Sequence, residues 1–285
     1  MTILAAVLLA LAAGITEILP VSGSGHIYLL AELLGVPVSE GEFRSFYAML
    51  LFGVSFAGIL FYHTQLMDML RENLVLFGLL RPTNRERGVP FGRRLGQLVF
   101  LALLPMPAAF LFNGLRVRIV SGDYRLVYVC GLLILSGTVL FLSAHAAREK
   151  RTIHQMTLRD AVLTGAVQMV TVLPGLSRSG MTVSVLFHLG LNGAATAEFV
   201  GLLGIPVFLI SGLIQLISAG AGEGSVASAP YLILGFAVSS LAGFFTLRFF
   251  TDFMAHRRPT VFAYWSWGAG ILALILFLFS ARWAG

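Results

Sequence analysis

Charged residues are scarce in this sequence. Asp, Glu, Lys and Arg make up 11% of its 285 residues, whereas 58% of the residues are hydrophobic. An average soluble domain contains about 25% charged residues, which it needs to cover its surface. The scarcity of charge therefore excludes an ordinary soluble enzyme and favours a protein that is embedded in a membrane.

Cysteine is almost absent as well. The single Cys130 cannot form a disulfide within the chain, so we interpret it as a packing residue. Residues 1–16 are apolar but lack the basic residues that begin a signal peptide, and we expect them to belong to the mature fold. The net charge of +6 does not indicate nucleic-acid binding, because the basic residues lie in short segments between apolar runs.

Long runs without charge are present instead. Each run has 18 to 24 residues, which is enough to cross a hydrocarbon core of about 30 Å as a helix. The six predicted spans are Ser45–Tyr62, Leu95–Leu115, Leu126–Ala147, Phe199–Gly222, Gly224–Leu247 and Pro259–Ala281. They predict an all-α, polytopic membrane protein that forms a single domain over residues 1–285.

The basic segments between these runs predict the orientation in the membrane. Lys and Arg are enriched in cytoplasmic loops. Three basic segments are therefore expected inside: His63–Arg94, Arg148–Arg159 and Asp252–Arg258. Two segments without Lys or Arg are expected outside: Val36–Phe43 and Ala219–Pro230. Three arginines of a segment assigned to the outside run against this scheme: Arg116, Arg118 and Arg125.

Two further apolar segments, residues 1–35 and 161–197, are interrupted by Pro, Gly and Ser. Two uninterrupted spans already return the chain to the cytoplasm between residues 159 and 252, so residues 161–197 must enter and leave on the same face. We expect a re-entrant helical hairpin there, dipping in from the cytoplasm. The same count predicts that residues 1–35 dip in from the opposite face, with the N-terminus outside.

The two broken segments are similar to one another. "EILPVSGSGHIYLLAELLG" begins at Glu17 and "VTVLPGLSRSGMTVSVLFHLG" begins at Val170, and their prolines, Pro20 and Pro174, are 154 residues apart. Similar units inserted from opposite faces form an inverted-topology repeat, with its site at mid-depth where the broken helices meet. We predict repeat halves of 1–145 and 146–285. Chance similarity of two interrupted helices is the alternative.

The breaks carry the polar residues from which a site could be built. Non-helical backbone at membrane depth is buried in protein or lines a cavity, and free N–H groups at the start of each following helix suit an anion. The first break contributes Ser22, Ser24, Gly25 and His26, and the second contributes Ser177, Arg178, Ser179, Gly180 and Thr182.

Arg178 is the most informative of these residues. It follows 17 uncharged residues and precedes 19 more, and an arginine in hydrocarbon costs at least about 2.5 kcal/mol on insertion scales. Its planar guanidinium fits phosphate or carboxylate oxygens, which predicts an oxyanion site. The alternative is a structural ion pair of Arg178 with Glu17 or Glu198, without a ligand.

Glu17 and His26 add the groups needed for phosphoryl transfer or hydrolysis. His26 would act as nucleophile or general acid–base, and Arg178 would neutralise charge on the phosphoryl oxygens. Glu17 would orient the histidine or share a divalent cation with a diphosphate. Gln168 faces this site or packs in the core; the sequence leaves both open.

The two motifs resemble those of the undecaprenyl-diphosphate phosphatase family, which confers bacitracin resistance when overproduced. The second family motif, PGxSRSxxT, is complete at Pro174, Gly175, Ser177, Arg178, Ser179 and Thr182. The first is matched at Thr16, Glu17, Leu19, Pro20, Ser22, Ser24, Gly25 and His26. "AATAEFVGLLGIP", which contains Glu198, is similar to the family segment after the second motif.

This resemblance implies an integral membrane enzyme of the bacterial plasma membrane with paired re-entrant hairpins. It implies removal of the terminal phosphate from undecaprenyl diphosphate, which recycles the lipid carrier for cell-wall precursors. It further implies a site that opens toward the outer face, contact with membrane lipids, and activity supported by a divalent cation, Mg²⁺ or Ca²⁺, for which Glu17 is the candidate ligand.

The chain departs from the family pattern at four positions. The family has a second glutamate at the position of Ala13 and a second serine at that of Gly23, and polar residues where this chain has Tyr47 and Leu51. If the serine that the family has at position 23 is its nucleophile, this chain must use Ser22, Ser24 or His26, or it is inactive. If the histidine is the nucleophile, the loss of that serine is tolerable.

These departures leave three hypotheses for the function. The first is hydrolysis of a polyprenyl diphosphate. The second is a polyprenyl-phosphate transporter or flippase that keeps the phosphate clamp without hydrolysis, and the third is a phosphatase for a different membrane lipid phosphate.

Overall fold

The structure is a computed structural model that describes residues 1–38, 41–76, 78–81, 91–121, 125–146, 150–220 and 226–283. Regular structure in these residues is helical. The α-helices are α1 Ile3–Thr16, α2 Gly23–Leu33, α3 Gly41–Phe61, α4 His63–Leu76, α5 Phe91–Leu103, α6 Asn113–Ser121, α7 Arg125–Ala146, α8 Leu158–Gln168, α9 Arg178–His188, α10 Gly193–Gly220, α11 Ala229–His256 and α12 Thr260–Trp283. Arg85, Arg87 and Arg148, which contribute to the predicted orientation, lie outside the described residues.

Five of these helices are long and apolar enough to cross a membrane: α3, α7, α10, α11 and α12. They coincide with five of the six predicted spans, which identifies a multi-pass helical membrane protein. The helix bounds differ from the charge-free runs by several residues, because helices continue into the charged turns; α11, for example, reaches His256.

The predicted span Leu95–Leu115 is not a continuous helix. α5 ends at Leu103, a 3₁₀ segment follows at Met106–Phe112, and α6 begins at Asn113. Pro105 and Pro107 account for the break, because each lacks a backbone N–H and clashes with the preceding turn. The prediction of one uninterrupted helix here is therefore wrong.

Both broken segments form a pair of short helices around an irregular link. α1 and α2 pack against each other across residues 17–22, and α8 and α9 pack across residues 169–177. α8 begins before the predicted boundary at 161, and α10 begins before the predicted end at 197. The helix–break–helix pattern read from the sequence is thus present in both places.

α3 lies at the centre of the helix packing, against α10 and α11, while α1 packs on α11 and α7 on α12. Small residues allow these close contacts, as is usual between membrane helices. A Cβ at Gly53 of α3 would lie only 2.1 Å from the Ser239 hydroxyl of α11. This bundle holds the two helix pairs so that their breaks meet.

Candidate functional site

The breaks of the two helix pairs contact each other directly. The Ser179 hydroxyl at the start of α9 donates a hydrogen bond of 2.7 Å to the carbonyl oxygen of Leu19 in the first break. A Cβ at Gly25 would lie 3.1 Å from the Cα of Gly175, and one at Gly180 would lie 3.1 Å from the carbonyl oxygen of Pro20. Each glycine thus allows one helix start to approach the opposite break.

Ser22 and Ser177 have the same local role in the two breaks. Each is the N-cap of the following helix: the Ser22 hydroxyl accepts from the Gly25 N–H at 3.3 Å, and the Ser177 hydroxyl accepts from the Gly180 N–H at 2.9 Å. Ser22 adopts a left-handed conformation with φ of 71°, a backbone strain that is concentrated at functional sites. Both hydroxyls are buried, and they cap helices rather than line the cavity described below.

The Glu17 carboxylate is held at the start of α2. Its Oε1 accepts a 2.6 Å hydrogen bond from the Tyr47 hydroxyl, and both side chains are buried. A Cβ at Gly23 would lie 2.3 Å from the Glu17 Cδ, so the carboxyl group occupies the space that a larger residue at position 23 would need. Glu17 rather than an external anion therefore faces this helix N-terminus.

Arg178 stands at the start of the opposite helix, α9, and lines the same cavity as Glu17. Among the ion pairs of the described residues, none includes Arg178. Its guanidinium carbon lies 5.3 Å from the centre of the Phe208 ring, a cation–π contact. Its Nη1 is buried without a hydrogen-bond partner in the described structure, which leaves a strong donor free for an anion.

Gln168 reaches the same site from the end of α8. Its Nε2 donates a 2.8 Å hydrogen bond to the Thr182 hydroxyl, which in turn donates to the carbonyl oxygen of Arg178. Its Oε1 is buried and has no hydrogen-bond partner within the described residues. Of the two orientations that the sequence left open, Gln168 faces the site.

A cavity joins these groups. Its polar wall consists of Glu17, Gln168, Arg178, Ser179 and Thr182. Its other walls are apolar and come from α3, α10 and α11, through residues such as Val54, Ile205 and Leu247. A single buried cation, a single carboxylate and hydroxyl groups in an apolar surrounding suit an oxyanion, because electrostatic attraction is strong where water is excluded.

His26 does not line this cavity in the part of the chain that the structure describes. Its Nδ1 lies 2.8 Å from the Ser22 carbonyl oxygen, and its Nε2 accepts a 3.0 Å hydrogen bond from the Trp265 indole. Because an indole N–H can only donate, this geometry assigns the ring proton to Nδ1. Ser24 lies half-buried in the first turn of α2. A shared catalytic role of His26, Ser24 and Arg178 stays a prediction.

Three contacts of the site were not predicted from the sequence. Tyr47 was noted only as a departure from the family, and Phe208 and Trp265 lie in apolar runs that carry no sign of a site. No cluster of three His, Cys, Asp or Glu side chains occurs among the described residues. Glu17 is the one acidic side chain in the described cavity wall.

Comparison with known proteins identifies the family of the chain. The family described as "Bacitracin resistance protein BacA" matches residues 6–272. The undecaprenyl-diphosphatase of Anaeromyxobacter sp. (strain Fw109-5) is 32% identical over 97% of this chain and 88% of its own length. That of Mycolicibacterium smegmatis is 30% identical over 97% of both chains. The chain therefore belongs to the bacitracin resistance protein BacA family.

Proposed function

We propose that this chain is a membrane phosphatase that hydrolyses the terminal phosphate of undecaprenyl diphosphate. The relatives that it matches over nearly their whole length are named undecaprenyl-diphosphatase. The observation that carries the proposal is the buried, unpartnered Nη1 of Arg178 beside Glu17. A buried guanidinium with an unused hydrogen-bond donor suits the charge of a diphosphate.

The residues of the second break bind the terminal phosphate. Arg178 and the free N–H groups at the start of α9 neutralise the phosphoryl oxygens, while Gln168 and Thr182 hold the first turn of α9 through the backbone carbonyl of Arg178.

Gly23 has no side chain to attack phosphorus, and Ser22 caps α2, which leaves Ser24 and His26 as candidate nucleophiles. Neither lines the cavity in the described residues, and attack by His26 requires its Nε2 to release the Trp265 indole. The nucleophile bonds to the terminal phosphorus as the bond to the bridging oxygen breaks and undecaprenyl phosphate leaves; water then hydrolyses the phosphorylated residue, and its oxygen ends on the released phosphate.

A divalent cation fits this site only together with the substrate. Mg²⁺ is commonly bound by one or two carboxylates plus substrate phosphates, and Glu17 supplies one carboxylate in the described wall. The cation, Mg²⁺ or Ca²⁺, would neutralise diphosphate charge. Glu17 would hold it through the oxygen that Tyr47 does not bind.

The helix pairs α1–α2 and α8–α9 act as re-entrant hairpins of an inverted repeat in the plasma membrane, and the site opens toward the outer face. The same N-cap, a serine that binds the N–H of a glycine three residues later, occurs in both breaks and supports a repeat. The broken element α5–α6 serves as the sixth crossing. An ion pair between Arg125 and Glu32 joins α7 to the end of α2, which supports an outside position for Arg125.

Phosphate release from undecaprenyl diphosphate by the purified protein in detergent, with and without Mg²⁺ or Ca²⁺, tests the function. Arg178→Ala should lower turnover by at least about a hundredfold, the scale of losing one preorganised donor in an active site. Arg159→Ala, at an exposed position of α8, is the matched control and should keep full turnover. Retained phosphate release in Arg178→Ala would contradict the proposal.

A further inference from the structure

We propose that the isoprenoid chain of the substrate lies in a groove between α10 and the 3₁₀ segment Met106–Phe112. This α10 groove has apolar walls that include Met106, Pro107, Ile210 and Ile214, and it ends at Gln168 and Arg178. The inference rests on the proposed function, since it names the site for the other end of the same lipid.

The groove exists because the helix is broken at Pro105 and Pro107. α5 ends at Leu103, so it does not continue as a helix beside Ile210 and Ile214 of α10. Ile210 and Ile214 consequently remain 39% and 36% exposed on α10. Exposure of this kind alone is ordinary for a membrane helix and would not identify a binding site.

The polar end distinguishes the groove from a lipid-facing surface. Gln168 and Arg178 line both the groove and the cavity that contains Glu17, so the two spaces meet at these side chains. Gln168 is only 6% exposed, and its Oε1, like Nη1 of Arg178, lacks a partner in the described structure. A buried donor and a buried acceptor thus stand at the inner end of an apolar channel.

This arrangement fits an amphiphile with one anionic head and one long hydrocarbon chain. The head reaches Arg178, and the chain follows α10 away from Phe208, passing Ile210 and then Ile214. Ile214 is six residues beyond Phe208, or about 9 Å along a helix. A substitution at Ile214 should therefore change the affinity only for a ligand with a long hydrocarbon chain.

Binding of radiolabelled undecaprenyl phosphate and of dimethylallyl phosphate, which has the same monophosphate head but a short chain, tests the groove without requiring turnover. Ile214→Trp should weaken undecaprenyl phosphate binding by at least about tenfold and change dimethylallyl phosphate binding by less than about twofold, since burial of apolar surface drives chain binding. Leu213→Trp, at a 52% exposed neighbour that does not line the groove, is the matched control and should change neither. Ile210→Trp should reproduce the effect of Ile214→Trp if that variant does not fold.

The proposed groove would be contradicted if Ile214→Trp weakened the binding of both ligands equally, or did not weaken the binding of undecaprenyl phosphate. Displacement of undecaprenyl phosphate by equimolar phosphatidylglycerol would also overturn it, because the groove would then hold any bilayer lipid. A different result would contradict the proposed function: wild-type protein would bind undecaprenyl phosphate but release no phosphate from undecaprenyl diphosphate.

Discussion

At the scale of single residues, two departures from the family pattern, one in the first motif and one in the next span, concern one carboxylate. Gly23 leaves the space that the Glu17 carboxyl group occupies, and the Tyr47 hydroxyl binds its Oε1. The sequence marks both positions only as differences. Their shared purpose depends on the packing of α3 against the first break, which no local pattern in the sequence contains.

This coupling predicts that restoring the family residue will harm the protein. Gly23→Ser brings a Cβ to within 2.3 Å of the present Glu17 Cδ position, so the carboxylate must leave Tyr47 and the cavity. Phosphate release from undecaprenyl diphosphate should fall by at least about tenfold, the effect of losing about 1.4 kcal/mol of transition-state stabilisation.

A glycine-to-serine substitution at a position with space for a side chain is the control. A Cβ at Gly131 of α7 meets no atom within 4 Å, so Gly131→Ser should keep wild-type turnover. Faster turnover in Gly23→Ser than in the wild type would show that the missing serine, and not the placement of Glu17, limits the reaction.

At the scale of helices, the sequence predicts what depends on length and composition. Five charge-free runs coincide with helices that are long and apolar enough to span a membrane. The prolines at positions 20 and 174 correctly indicated the two breaks. The failure at Leu95–Leu115 arose because a count of uncharged residues ignores proline. Position matters as well: the single Pro206 is tolerated within α10, whereas Pro105 and Pro107 remove two backbone donors within three residues.

One ion pair stabilises the second helix pair at its base. Arg151 contacts Asp160 at 2.6 Å and donates to the carbonyl oxygen of Leu189 at 2.8 Å, which joins the start of α8 to the end of α9. Burial disfavours the charged carboxylate, but hydrogen bonds from Arg151 and Thr157 prevail and lower the pKa of Asp160. Ionised Asp160 thus stabilises the folded state above the carboxyl's unfolded pKa of about 4, and this stability is lost as the pH falls through the lower folded pKa.

Asp160→Asn removes this contribution. The variant should unfold at a lower temperature than the wild type at neutral pH, and the gap between the two should narrow as the pH falls below about 4. Thermal unfolding of both proteins in detergent, from neutral pH to below about pH 4, measures this difference in unfolding temperature. Asp252→Asn, at a largely exposed carboxylate of α11, should follow the wild type throughout. A gap that stays constant with pH would assign the Asp160 effect to packing.

At the scale of the whole molecule, the sequence predicts two related units but not how they join. The similarity of the two motifs indicates a repeat, and it identified Arg178 and Glu17, which line one cavity. It could not indicate that Gly25 packs on Gly175 while Gly180 packs on Pro20. The hydrogen bond of Trp265 to His26 likewise joins parts of the chain that are 239 residues apart.

The proposed inverted arrangement predicts opposite sides for the ends of the two short helices that carry the motifs. α2 ends at Leu33, which is 71% exposed, and α9 ends at His188, which is also exposed. In a Cys130→Ala background, Leu33→Cys should react with a membrane-impermeant maleimide in intact cells, while His188→Cys should react only after the membrane is opened. Hairpins inserted from one face would instead give both cysteines the same accessibility. That result would contradict the proposed inverted repeat, and with it the proposal that the site lined by Arg178 and Glu17 opens toward the outer face.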